Sequence, residues 1–82
     1  MSLEADFQAA AEKARSMPSN LSTDTKKQIY SLFKQASVGD CKGDRPGMFD
    51  MTGRAKYDSW KALEGMSQDE AKQKYIALIE SL

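Results

Sequence analysis

An all-α fold of four helices is predicted for this 82-residue chain. Three observations predict it. Apolar residues recur at three- and four-residue spacing in four separate stretches. Serine or threonine stands at the head of these stretches, where its side-chain oxygen can satisfy a free backbone N–H. No stretch alternates apolar and polar residues as a half-buried strand does, and no internal repeat or low-complexity segment is visible.

The first helix places Leu3, Phe7, Ala10, Ala14 and Met17 on one narrow stripe. Ser2 is its cap, Glu4 and Asp6 lie in the first turn where the helix dipole favours anions, and Pro18-Ser19-Asn20 is the expected stop. Ala9, Ala10 and Ala11 favour the helix while leaving a shallow surface that another molecule can approach closely. A second helix starts with Ser22 or Thr23 as cap and Asp24 in its first turn. Its packing stripe is read as Ile29, Phe33 and Ala36, which fall within roughly 60° of one another at about 100° per residue. Gly39 fits the left-handed position that follows a helix.

The stretch GDCKGDRPGMFDM has three glycines, one proline and neither period. Loops of about a dozen residues are uncommon unless they are functional or held by their own packing, and Met48 and Phe49 are expected to pin this one to the core. The third helix is predicted from Thr52 or Gly53 to Leu63, with Gly65 as terminator. Ser67-Gln68-Asp69-Glu70 is a capping box for the fourth, whose inward stripe is read as Ala71, Tyr75, Leu78 and Leu82.

Composition narrows the function classes. The length suits one domain over residues 1–82 with a thin core. Twelve basic and twelve acidic residues cancel, which disfavours a general nucleic-acid or anionic-membrane binder, so an anion has to be held by locally placed Lys and Arg. One cysteine, Cys41, and no histidine leave no internal disulfide, no common zinc or haem ligand set, and no Ser-His or Cys-His nucleophile pair. The acidic, polar start MSLEADF is unlike a secretory signal, and no stretch approaches the ~20 apolar residues of a membrane span. An intracellular, soluble protein without a metal is expected.

Several polar residues occupy positions that need a reason. On the second helix Lys27, Tyr30 and Lys34 form a strip along one edge of the apolar stripe. They read either as a boundary tyrosine between solvated lysines, or as a phenol and ammoniums donating to one phosphate. Lys56 aligns with Trp60 and Leu63 at i, i+4 and i+7, so its stem runs along an apolar face. It either snorkels to water or reaches an anion between helices. Tyr75 is a packing residue or a stacking platform, and Arg15 flanks the first helix. Periodicity leaves both readings of each open.

The segments IYSLFKQASVGD, RPGMFD and GRAKYDSWKALEG, with S-x-x-E-A and YI in the fourth helix, resemble the acyl-CoA-binding protein (diazepam-binding inhibitor) family. The resemblance runs over essentially the whole chain, in order. It implies an up-down-down-up four-helix bundle that binds long-chain fatty acyl-CoA as its ligand, without a cofactor. It implies further that Tyr30, Lys34 and Lys56 hold the 3′-phosphate of the CoA ribose and that Tyr75 stacks on the adenine. Arg15 takes the place of a lysine near the CoA phosphates, Ala10 lies on a first-helix surface next to the ligand, and Phe33 lines the site. Tyr57 stands where the family usually has tryptophan, Lys26-Lys27 where a pair near the acyl chain is often apolar, and Thr52 where a lysine is common.

The implied function is a monomeric, non-enzymatic, cytoplasmic carrier and pool former for acyl-CoA in lipid metabolism, serving acyl-CoA-using enzymes, with no nucleic-acid partner and no stable membrane insertion. The alternative is a helical interaction module that keeps the fold and has lost the ligand. The presence of Tyr30, Lys34, Lys56 and Tyr75 together favours the carrier. Cys41 reads as an exposed loop thiol without a role.

Overall fold

Four side-chain oxygens start four helices. Ser2 Oγ accepts from the Ala5 N–H at 3.0 Å, Ser22 Oγ from Thr25 at 3.1 Å, Asp50 Oδ1 from Gly53 at 3.0 Å and Ser67 Oγ from Glu70 at 3.1 Å. Each satisfies one of the N–H groups that a helix start leaves unpaired. The computed structural model describes residues 2–17 and 20–82. The helices are α1 (Leu3–Arg15), α2 (Thr23–Ser37), α3 (Met51–Lys61) and α4 (Gln68–Glu80), with no strand among the described residues. None is long and apolar enough to cross a membrane.

Side-chain pairs give the directions. Glu4 meets Lys72 at 3.7 Å and Phe7 meets Tyr75 with ring centroids 5.2 Å apart, so α1 and α4 run parallel. On α2, Ala36 O accepts from Gln68 Nε2 at 3.2 Å while Phe33 lies against Tyr75 at 5.8 Å, so α2 runs antiparallel to α4. Lys56 stands over Tyr30 and Trp60 under Lys34, an ascending register that makes α2 and α3 parallel. The order is up-down-down-up. Two consecutive parallel helices need a connection that returns along their length, and the long loop between α2 and α3 provides it.

The core is Phe7, Ala10, Ala36, Ala71, Tyr75 and Ile79. Phe7, Phe33 and Tyr75 form an aromatic triangle with centroid separations of 5.2 to 5.8 Å, within the range that favours edge and offset contacts. A buried polar knot closes one end. Gln35, fully buried, donates from Nε2 to Asp40 Oδ1 at 2.9 Å and to Met66 O at 2.8 Å. The same Asp40 oxygen accepts from the Gly65 N–H at 2.9 Å, and Trp60 Nε1 donates to Gly39 O at 2.9 Å. These bonds hold the end of α2, the loop and the α3–α4 link together.

Five expectations change. The buried face of α2 carries Ser31, Gln35 and Ala36, with Leu32 partly buried, so the helix is turned away from the stripe read from its period. Gln35 has to face inward to satisfy the Met66 carbonyl, and that turn leaves Phe33 38% exposed on the edge. Met48 and Phe49 do not anchor the loop. Asp50 N–H donates to Gly47 O at 2.9 Å, so they are the two central residues of a tight turn and point outward, 69% and 96% exposed. Polar bonds hold the loop instead: Arg45 is bidentate to Asp58 at 3.0 and 2.7 Å, and Tyr57 Oη donates to Gly43 O at 3.0 Å.

Helix α3 begins at Met51, one or two residues before the predicted start, because Asp50 supplies the cap, and its helical hydrogen bonding gives way to turns after Lys61. On α4 Ala71 and Tyr75 are buried as expected, and Ile79 is the third buried residue in place of Leu78 and Leu82; Leu82 lies past the helix end and is exposed, so a helical period does not apply to it. Gly39 and Gly65 adopt φ of 97° and 94°, the left-handed conformation expected of helix stops. The predicted stop at Pro18-Ser19 lies outside the described residues.

Candidate functional site

A hollow of about 400 Å³ opens where α2, α3 and α4 meet. Lys26, Ile29, Tyr30 and Phe33 of α2 form one wall, Lys56 of α3 the other, and Tyr75 of α4 the end. A second hollow of about 300 Å³ continues between the first turns of α2 and α3, past Thr23, Lys27, Met51, Thr52 and Ala55. Lys26 and Lys56 line both, so the two form one trough with these lysines at its waist. The trough exists because α2 is rotated. With Gln35 and Ala36 turned into the core, Lys26, Phe33 and Tyr30 fall within roughly 60° of one another on the arc that faces it.

Its surface combines aromatic rings and aliphatic lysine stems with ammonium groups at the rim. Lys56 Nζ stands 5.3 Å from the Tyr30 ring centroid, and Lys34 Nζ stands 5.1 Å from that of Trp60, both in cation–π range. Trp60 is held in turn by its bond to Gly39 O. Lys27 is drawn toward Asp24 at 3.6 Å, while Lys26, Lys34 and Lys56 have no carboxylate partner among the described residues. An anion in this trough would therefore meet cations not already neutralised.

Tyr75 is 2% exposed, and burial pushes its phenol above the ordinary value near 10, with the Arg15 charge acting weakly in the opposite direction. The phenol is neutral at physiological pH and its ring is fixed by Phe7 and Phe33.

The structure brings Tyr30, Phe33, Lys56 and Tyr75 together at one hollow. Lys34 lies one turn further along α2, on the α3 seam. Arg15 is exposed at the end of α1, 3.5 Å from Glu12, with its charge reaching Tyr75. Ala10 is a core residue, 6% exposed, and the exposed alanines of that helix are Ala5 and Ala9. Lys26 at the waist and Trp60 as the shelf for Lys34 were absent from the predicted set. The signal for the former was the family position of the Lys26-Lys27 pair near the acyl chain, and its i, i+4 spacing to Tyr30 is a second that could have found it.

No group of three or more metal-ligating side chains exists among the described residues. The arrangement offers a trough of aromatic rings, Met51, Ala55 and aliphatic lysine stems with ammonium groups along its length.

Comparison with known proteins agrees with this geometry. The family model described as "Acyl CoA binding protein" matches residues 4–79. The chain is 48% identical over 82 residues to the acyl-CoA-binding protein of Ricinus communis, covering all of this chain and 91% of that one. It is 50% identical over 86 aligned residues to the acyl-CoA-binding protein homolog 3 of Caenorhabditis elegans, covering all of this chain and 74% of that one. The crystal structure of Oryza sativa acyl-CoA-binding protein 2 superposes with a TM-score of 0.95 at 42% identity, over 99% of this chain and 90% of the other. The crystal structure of the Moniliophthora perniciosa protein gives 0.87 at 43%, over 95% and 76%. With sequence, topology and trough in agreement over its length, the chain belongs to the acyl-CoA-binding protein family.

Proposed function

We propose that this chain binds long-chain acyl-CoA thioesters in the trough and acts as an intracellular, monomeric carrier and pool former for them in lipid metabolism. The observation that carries the reading is one trough in which aromatic rings line the α4 end, Met51, Ala55 and lysine stems line the end beyond the waist, and Lys26 and Lys56, without carboxylate partners among the described residues, stand between them. Tyr30, Lys34 and Lys56 take the ribose phosphate, Tyr75 the adenine, and Arg15 adds charge from α1. Phe33 lines the mouth, and Ala10 belongs to the buried cluster that includes Tyr75. The acyl chain runs past the waist toward Ala55 and Met51.

The energetics fit this division. Burying a dozen methylenes is worth roughly 10 kcal/mol before ordering costs, at about 0.8 kcal/mol each. The phosphates contribute through charge-assisted hydrogen bonds. The ligand's thioester is carried and shielded, and acyl-CoA-using enzymes receive it.

Titration calorimetry with palmitoyl-CoA, free CoA and palmitate tests the proposal. The thioester is expected to bind tightly, CoA weakly, and the fatty acid hardly at all. No heat with acyl-CoA of any chain length would sink the carrier reading.

A further inference from the structure

Three lysines line the hollow of about 300 Å³ beyond the waist: Lys26 and Lys27 from α2 and Lys56 from α3. Met51 and the lysine stems give it an apolar wall, and the side chains of Thr23 and Thr52 add hydroxyls that can donate. A plain alkyl chain lying here gains contact with the stems and nothing from the ammoniums. Where it covers them it strips their water without supplying a partner, which is costly for a charged group.

The positive charge at this end is not balanced by the protein. No acid lines the hollow. Asp24 meets Lys27 at 3.6 Å with its own side chain 87% exposed, an ion pair of the kind that water weakens. Asp50 commits an oxygen to the Gly53 N–H. Lys26 and Lys56 have no carboxylate partner among the described residues. Because α2 and α3 run parallel and both begin here, the positive ends of their dipoles add to the same field. A ribose phosphate held by Tyr30, Lys34 and Lys56 would neutralise the last of these lysines and leave Lys26 and Lys27 without a counter-charge. The hollow is therefore complementary to a chain that is apolar along its length and anionic at its tip.

We infer that the acyl end of the trough recognises an acyl chain that ends in a carboxylate. The ligand class is an ω-carboxyacyl-CoA, the monothioester of a dicarboxylic acid, and Lys26 and Lys27 are the residues that select it. The methylenes lie against Met51 and the lysine stems, and the terminal carboxylate accepts charge-assisted hydrogen bonds from the two ammoniums. The assignment rests on the carrier reading, because it takes the acyl chain to run past the waist.

Titration calorimetry with two matched pairs tests it: palmitoyl-CoA against hexadecanedioyl-CoA, and dodecanoyl-CoA against dodecanedioyl-CoA. In at least one pair the ω-carboxylate is expected to bind as tightly as its plain counterpart or more tightly. A double variant, Lys26→Met with Lys27→Met, keeps unbranched apolar stems and removes both charges. It should shift the affinity ratio of that pair roughly tenfold toward the plain chain, the worth of a hydrogen bond to a charged group. Lys26→Arg with Lys27→Arg keeps the charges and should keep the wild-type ratio. Added salt should move the wild-type ratio in the same direction as the Met variant does. The inference is overturned if the carboxylate weakens binding in both pairs, if the Met variant leaves the ratio unchanged, or if the Arg variant shifts it as far as the Met variant. Palmitoyl-CoA reports on the carrier reading separately. If it binds while both ω-carboxylates bind more weakly than their counterparts, this inference alone falls; if no thioester binds, the carrier reading falls and takes this one with it.

Discussion

Lys56 of α3 holds its ammonium 5.3 Å from the ring centroid of Tyr30 on α2. The contact spans the waist of the trough, so the two helices meet there through a ring and a cation and not through interdigitated aliphatic side chains. It orders the pair before a ligand arrives and leaves the ammonium with no carboxylate to release it from.

Lys56→Ala, Lys34→Ala and Tyr30→Ala should each lose more than ~1 kcal/mol of palmitoyl-CoA affinity in calorimetry, since under the proposed placement each would remove a charged or phenolic donor to phosphate. Thermal stability should change much less. A Tyr30→Ala protein that unfolds easily, yet binds normally in its folded fraction, would make Tyr30 a packing residue.

Ile79→Ala should destabilise the domain by about 2–5 kcal/mol in denaturant unfolding, because Ile79 is fully buried between α1 and α2 partners. Leu82→Ala, at 48% exposure, should stay within about 0.5 kcal/mol. Equal effects would restore the stripe read from the sequence period.

Asp40 accepts from the Gly65 N–H and from Gln35, and these bonds hold its carboxyl below the ordinary value near 3.9. A depressed carboxyl contributes stability that is present above its unfolded value and lost as pH falls through the folded one. Thermal midpoints taken from pH 6 down to about pH 2.5 should therefore fall less for Asp40→Asn than for wild type. Asn keeps the accepting oxygen and cannot titrate. Parallel curves would remove Asp40 from the acid transition.

Tyr75 should ionise above the ordinary phenol value near 10 in an alkaline ultraviolet titration, read as the difference from Tyr75→Phe, since burial raises its phenol. A raised phenol contributes stability that is complete below about pH 10 and lost as pH rises through the folded value. Tyr75→Phe should flatten the alkaline arm of the stability curve while keeping the aromatic triangle. A Tyr75→Phe curve with the wild-type alkaline fall would overturn that assignment.

Much of the fold was legible. Ser2, Ser22 and Ser67 announced three helix starts, and Gly39 and Gly65 two stops, because capping and left-handed turns are decided by residues within one turn of each other. Family resemblance named Tyr30, Phe33, Lys56 and Tyr75, and they do line one hollow. Lys26 was seen only as a departure from the family, because its place at the waist depends on a partner helix 30 residues away in sequence.

The sequence by itself determined the number of helices, the caps of α1, α2 and α4 and the absence of histidine chemistry, all of which follow from local spacing or composition. Tertiary structure alone decided how α2 is turned and which apolar residues are hidden. Gln35 could not be placed by its polarity: it is buried because the Met66 carbonyl and Asp40, distant in sequence or beyond the helix end, both need its amide. Phe49 could not be placed by its hydrophobicity: a tight turn closed by Gly47 and Asp50 sends its central side chains outward whatever their character.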